Sequence, residues 1–281
     1  MSLFKETAED YLDLVKDWED PWPDPIIKIH DGVHVVRDDL LNAGSKVRFV
    51  DYYIKTLPES VKEIVFGNCP ATGYAQISLP IVCKKYGKKA VLFMAEREFG
   101  NLHEYQLKGL SKGADYRWVK MGMLTVTKKR ARDYVAENPQ ERVELPLGLE
   151  HPTVLGSIIK VARKHITCNP TEIWSVGSSG TINRGLQLAF PDVPVHVVQT
   201  GHSMNEREIG RAKHWKSPYK FDKPIKPEEA PPFPSAPTYD AKAWPFIKEF
   251  AKPNSLFWNC LLYTSDAADE GLGVDLGGRR I

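Results

Sequence analysis

Short apolar runs rich in β-branched residues alternate with helical stretches along almost the whole chain, and few architectures accept that alternation. VHVVR (33–37) reads as a strand, and KVRFVDYYIKTL (46–57) carries its apolar residues at helical spacing. Further strands are expected at 63–67, 89–95, 116–121, 172–177, 193–201 and 255–259. Helices are expected at 5–18, 73–87 (bent by Pro80 and ended by Gly87), 102–113, after Thr127, and at 151–165, 182–190 and 241–251. DPWPDP (20–25) is a connector, DDLLNAGS (38–45) a loop, 137–142 a polar break, and 202–240 a Pro-rich, basic loop or lid. Strands separated by helices predict an α/β protein with largely parallel sheets.

Composition narrows the class. The 281 residues are 42% hydrophobic and 26% charged, with a net charge of +2, which excludes a disordered chain and a small disulfide scaffold. No stretch approaches the ~20 apolar residues that span a bilayer, so no membrane association is expected. The N-terminus, MSLFKETAEDYLDL, is acidic and lacks the regions of a secretory signal.

Residues 260–281, CLLYTSDAADEGLGVDLGGRRI, resemble the conceptual translation of a sequencing-library adapter and are set aside as an expected artefact. That run holds four acidic and two basic residues, so without it the net charge rises from +2 to +4. Cys69, Cys83 and Cys168 then remain, an odd number without a C-x-x-C pair. That argues against a disulfide framework and a zinc site and for a reducing cytoplasm.

Four local patterns carry chemistry. Lys46 stands where a loop enters a helix; there the helix dipole disfavours its charge, and Arg37 and Arg48 can add to that, as a nucleophilic amine needs, although taken alone the pattern is more often a solvated lysine after a turn. Gly177-Ser178-Ser179-Gly180-Thr181 follows a strand and precedes a helix. Its backbone amides and hydroxyls suit a phosphate, although a plain strand–helix turn would read the same way. GNCPATGYAQ (67–76) sets Asn68 and Thr72 beside a helix N-terminus, a place for a carboxylate. Tyr239 precedes a helix as a possible acid or base, and Asp240 is either a cap or a partner for a charged ring nitrogen.

In this order the four pieces resemble the fold type II (tryptophan-synthase-β-like) pyridoxal-phosphate enzymes, most closely 1-aminocyclopropane-1-carboxylate deaminase and D-cysteine desulfhydrase. The family's R-D-D-L and N-K-x-R are similar to Arg37-Asp38-Asp39-Leu40 and Ser45-Lys46-Val47-Arg48. Its phosphate loop G-S-G-G-T is similar to 177–181, its V-Y-x-G-K-[AS] to 238–243, and its closing L-F-x-H to 256–259, with Asn259 for His. Its substrate turn Q-S-N-[HQ] is replaced by Cys69-Pro70-Ala71-Thr72-Gly73-Tyr74.

The resemblance implies a two-domain, three-layer α/β/α fold. The larger cofactor domain would comprise 1–58 and 127–259, and the smaller domain 59–126. It implies pyridoxal 5'-phosphate held by Lys46 as a Schiff base, and a homodimer. Lys46 and Tyr239 would be catalytic. Gly177, Ser178, Ser179, Gly180, Thr181, Asp240 and Asn68 would bind cofactor, and Thr72, Gly73 and Tyr74 the substrate, a small amino acid undergoing β-elimination or deamination.

Two other readings stand beside this one. The same cofactor could process, for example by decarboxylation, an amino-acid group attached to a nucleotide or DNA base, as in viral base modification. Basic residues interleaved with Trp215, Tyr219 and Phe221 across 202–226 can follow a nucleic-acid backbone, but a solvated lid over the site is the favoured reading of that segment. The third reading is a non-catalytic cofactor-binding module.

Overall fold

The computed structural model describes residues 7–120, 122–201 and 203–261. Two sheets organise them. The larger has the order β1-β2-β10-β7-β8-β9 and the smaller β5-β4-β3-β6. In the larger, β2 (Val33–Arg37), β10 (Leu256–Asn259), β7 (Ile173–Gly177), β8 (Val195–Gln199) and β9 (Lys213–Lys216) run parallel, and β1 (Ile27–His30) lies antiparallel to β2 on one edge. The smaller sheet, β5 (Asp115–Val119), β4 (Lys89–Ala95), β3 (Glu63–Phe66) and β6 (Arg142–Glu144), is parallel throughout.

Helices cover both faces of each sheet, as parallel strands buried on two sides require. The three-layer α/β/α expectation therefore holds. In the smaller unit, α3 (Ala75–Lys85) with α4 (Glu104–Ser111) lies on one face, and α5 (Leu124–Glu137) packs against β3, β4 and β6. In the larger, α1 (Ala8–Asp13), α2 (Ser45–Lys55), α6 (Pro152–His165) and α7 (Thr181–Ala189) form one layer, and α9 (Trp244–Phe250) belongs to the other. α6 begins with Pro152, which has no N–H to leave unpaired, and the ring of His151 accepts from the Thr153 N–H, satisfying one donor of the first turn. Its Val154, Leu155, Ile158, Ile159, Val161 and Ala162 are buried in the core beneath both units.

Three strands were not expected. IKIH and KHWK each carry exposed lysine, and RVE is three residues long; none is long enough for its alternation to emerge. β9 and α8 (Glu206–Ile209) lie inside the stretch read as a loop. The expected boundary at 126 also moves: α5 and β6 belong with the smaller sheet, which extends that unit to about residue 145. Residues 262–281 lie outside the described residues. Cys260 and Leu261, set aside with them, are buried: the Ser45 N–H donates to Cys260 O (3.1 Å) and the Ala236 N–H to Leu261 O (3.0 Å). No helix among the described residues is long and apolar enough to cross a membrane.

Candidate cofactor and active site

Every loop of the candidate site leaves the C-terminal end of a parallel strand, where open α/β sheets gather ligands. After β2 the chain turns through Asp38–Leu40 and Gly44 into α2. Gly44 has φ 67°, and a Cβ there would lie 2.5 Å from Cys260 O, so this tight turn accepts glycine alone. It delivers Lys46 as the second residue of α2. Arg37 and Arg48 do not press on the lysine as unpaired cations. Arg37 is paired with Asp39 at 2.8 Å, and Arg48, fully buried, with Asp38 at 3.0 Å and with Asp20. The R-D-D-L run is thus a buried ion-pair brace for the lysine loop.

Lys46 faces two adjoining cavities. One, of about 300 Å³, is also lined by Asn68, Cys69, Thr72, Gly73, Tyr74, Ser178, Ser179 and Tyr239. The other, of about 40 Å³, is lined by Ser179, Gly180, Thr181 and Tyr239, with Gly148 and Leu149. The sequence therefore named ten residues that the fold brings to one place: Lys46, Asn68, Thr72, Gly73, Tyr74, Ser178, Ser179, Gly180, Thr181 and Tyr239.

Two others stand off it. Gly177 faces neither cavity; a Cβ there would lie 2.7 Å from Val197 Cγ2 and 2.9 Å from Met204 Sδ, so its smallness serves packing. Asp240 is fully buried and outside both linings. Its Oδ2 accepts from the Leu261 N–H at 2.8 Å, and its Oδ1 has no partner among the described residues. Burial pushes its carboxyl up to about 8, against the pull of the Leu261 and Cys260 N–H groups and of Lys46. The anionic form expected of Asp240 therefore needs a cation beside it.

The loop 178–181 has the build of an anion cradle. Gly180 is left-handed (φ 73°) at the N-cap of α7, and no side chain caps that helix. Ser179 Oγ and Thr181 Oγ1 are 3.3 Å apart, and Thr181 Oγ1 donates to Gly148 O at 3.3 Å. The Ser178 N–H donates to the Tyr239 hydroxyl, and burial followed by Asp240 raises that phenol well above its ordinary value. Tyr239 is a neutral phenol at physiological pH.

Across the cavity, Gln76 Nε2 braces the 69–73 turn by donating to Ala71 O (2.7 Å) and Gly73 O (2.6 Å). Gln76 Oε1 in turn accepts from the Tyr116 hydroxyl (2.9 Å). The buried Asn68 Nδ2 has no partner among the described residues and lines the cavity.

Sequence reasoning missed Gly148, Leu149, Tyr105, Leu124 and Phe221, all of which face the site. Only Gly148 left a trace, as the glycine of PLGLEHP. Its φ is 72°, and a methyl there would overlap Ser179 Oγ. Gly32 has φ 78° with nothing within 4 Å of its would-be Cβ. Gly32→Ala is expected to cost about 1 kcal/mol, the backbone strain alone, and Gly148→Ala at least about twice that. Urea unfolding of both variants checks this; equal costs would mean that Gly148 does not press on the loop.

The basic segment is partly structural. Trp215 stacks on Phe250 (4.7 Å) and Trp174 (5.8 Å), and the Tyr219 hydroxyl donates to Glu229 at 2.7 Å. Phe221 faces the cavity; the buried Lys242 Nζ clasps this stretch by donating to Lys220 O (2.8 Å) and Phe221 O (3.1 Å). His202 lies outside the described residues.

Solved structures share the fold. One described as an ACC deaminase homologue is 16% identical, with TM-score 0.73, covering 89% of this chain and 93% of its own. The processed form of threonine deaminase isoform 2 from Solanum lycopersicum is 11% identical, with TM-score 0.67, covering 92% and 90%. The fold is that of the fold type II pyridoxal-phosphate enzymes. Serine racemase from Dictyostelium discoideum, 13% identical with TM-score 0.63, covers 93% of this chain and 98% of its own. No protein-family model and no curated protein matches the chain.

The residues present fit the cofactor of that fold. An amine that lines both cavities, an uncapped helix N-terminus with hydroxyls at the smaller, and an unpartnered buried amide at the larger match an aldehyde, a phosphate and a ring hydroxyl respectively.

Proposed function

We propose that this chain is a pyridoxal-phosphate-dependent enzyme acting on an amino acid, with β-elimination or deamination as the reaction class. The observation that carries this reading is that Lys46 and the Ser178–Thr181 loop line the same cavities. The family resemblance of the motifs and the deaminases, ammonia lyase and racemase among similar folds support it.

When bound, the cofactor supplies an aldehyde for an amine and a ring that draws electrons from bonds at the substrate Cα. Lys46 is the only lysine among the described residues lining the cavities, so its amine would hold the cofactor and is the base placed to accept a proton from the substrate Cα. Ser178, Ser179, Thr181 and the first amides of α7 would hold the phosphate, and Asn68 the ring hydroxyl. Asp240, buried just outside both linings, is the carboxyl that would pair with a protonated ring nitrogen, whose charge would favour its anion. Tyr239, kept as a phenol by burial, donates a proton rather than accepting one. The braced 69–73 turn and the start of α3 take the substrate carboxylate.

The test is titration with pyridoxal phosphate. A visible absorption band is expected, and borohydride reduction followed by peptide mapping should find the label on Lys46. A label on another lysine, or none, would refute the assignment.

A further inference from the structure

Resting on that reading, we propose that the preferred substrate is an amino acid whose side chain ends in a bulky, uncharged apolar or aromatic group. Lys46 is the only charged side chain among the described residues lining the 300 Å³ cavity. Its amine is committed to the cofactor. A carboxylate or ammonium on the substrate side chain would enter without a counter-charge, which is costly against an apolar wall.

The wall beyond the lysine is apolar and aromatic. Pro70 and Tyr74 come from the braced turn, Tyr105 from α4, Leu124 from the first position of α5, and Phe221 from the clasped lid. Tyr74 and Tyr105 meet edge to face at 5.3 Å with planes at 90°, an arrangement that presents ring surface to a third apolar group. Burial raises both phenols, Tyr74 to about 12, so neither offers a charge near neutral pH.

The lining comes from both units. Leu124 belongs to the smaller and is 47% exposed, while Phe221 belongs to the larger and sits against Gly201, whose would-be Cβ lies 3.1 Å from the Phe221 ring. A ligand bridging them would cover apolar surface that this chain leaves open to water at Leu124. A side chain as small as a hydroxymethyl reaches little of this wall.

The experiment uses the pyridoxal-phosphate-loaded protein and matched pairs: cysteine against S-benzylcysteine and serine against 3-phenylserine, in each configuration, with aspartate and 2,3-diaminopropionate alongside. Apparent dissociation constants are read from the change in the visible band. The benzyl or phenyl member of each pair is expected to bind about tenfold or more tighter, as burial of one ring predicts. Phe221→Ala, a change on the lid, should shrink that gap severalfold while leaving the visible band of the loaded protein in place. Tighter binding of cysteine, serine, aspartate or 2,3-diaminopropionate would overturn the inference, as would an unchanged gap in Phe221→Ala. Protein that takes up no cofactor would instead refute the function proposed above.

Discussion

Lys46→Ala is expected to lower turnover by at least about 1,000-fold on any amino acid that perturbs the visible band of the parent protein. No neighbour can take over the role. Among the described residues, Lys46 is the only lysine that lines either cavity, and the buried Lys242 is spent on the carbonyls of Lys220 and Phe221. Borohydride should fix no cofactor on the variant.

Lys46→Arg separates charge from covalent attachment. It keeps a cation near Asp240, whose ionisation Lys46 favours, yet it cannot form the bond. Both variants should therefore lose turnover, while Lys46→Arg preserves the unfolding midpoint more closely than Lys46→Ala. Steady-state kinetics and thermal unfolding decide this. Turnover within tenfold of the parent in either variant would remove Lys46 from the chemistry.

What the sequence disclosed and what it hid divide along physical lines. The lysine loop and the Ser-Ser-Gly-Thr turn were legible because each is a local strand–turn–helix unit. The glycine that permits the bend and the side chain it delivers lie within a few residues of each other. Gly180 does what its place suggested, as a left-handed N-cap. Gly177, three residues away, was assigned to the ligand, yet its neighbours are Val197 and Met204 from another strand and loop.

Asp240 lay in the right motif, but its burial and neutralising surroundings come from tertiary packing. Tyr105, Leu124 and Phe221 carry no signature at all: an aromatic or leucine on an amphipathic stretch looks the same whether it meets the core or a substrate. β9 was hidden for the opposite reason. Its lysines are exposed while Trp215 stacks on Trp174 and Phe250, with Lys213 Nζ lying over its ring at 4.3 Å, so a strand edge looked like a basic, base-stacking segment. The buried pairing of Arg37 with Asp39 and of Arg48 with Asp38 was likewise invisible, because a run of alternating charges normally signals a solvated surface.

Asp240→Asn is expected to make the cofactor-free protein more stable at pH 8 than its parent, and to leave the two alike near pH 4. Asp240 is 0% exposed, and burial pushes its carboxyl from 3.8 to about 8. Between those pH values the folded chain keeps a proton that the unfolded chain has released. Stability from this group is therefore fully present below about 4 and is lost as pH rises through about 8. Linkage puts the loss at about 5 kcal/mol over that span.

Asparagine is neutral at every pH, so the variant should lack this slope. Its amide oxygen can still accept from the Leu261 N–H, and its NH₂ replaces Oδ1, which has no partner among the described residues. Asp20 and Asp38, also raised by burial, are common to both proteins, and their contributions cancel in the difference. Urea unfolding at pH 4.5, 6 and 8 gives that difference directly. A parent-minus-variant stability that does not fall with pH would mean that Asp240 is ionised in the folded chain before any cation reaches it. The same variant should bind pyridoxal phosphate more weakly than its parent at pH 8, because the carboxylate that would hold the ring nitrogen's proton is gone.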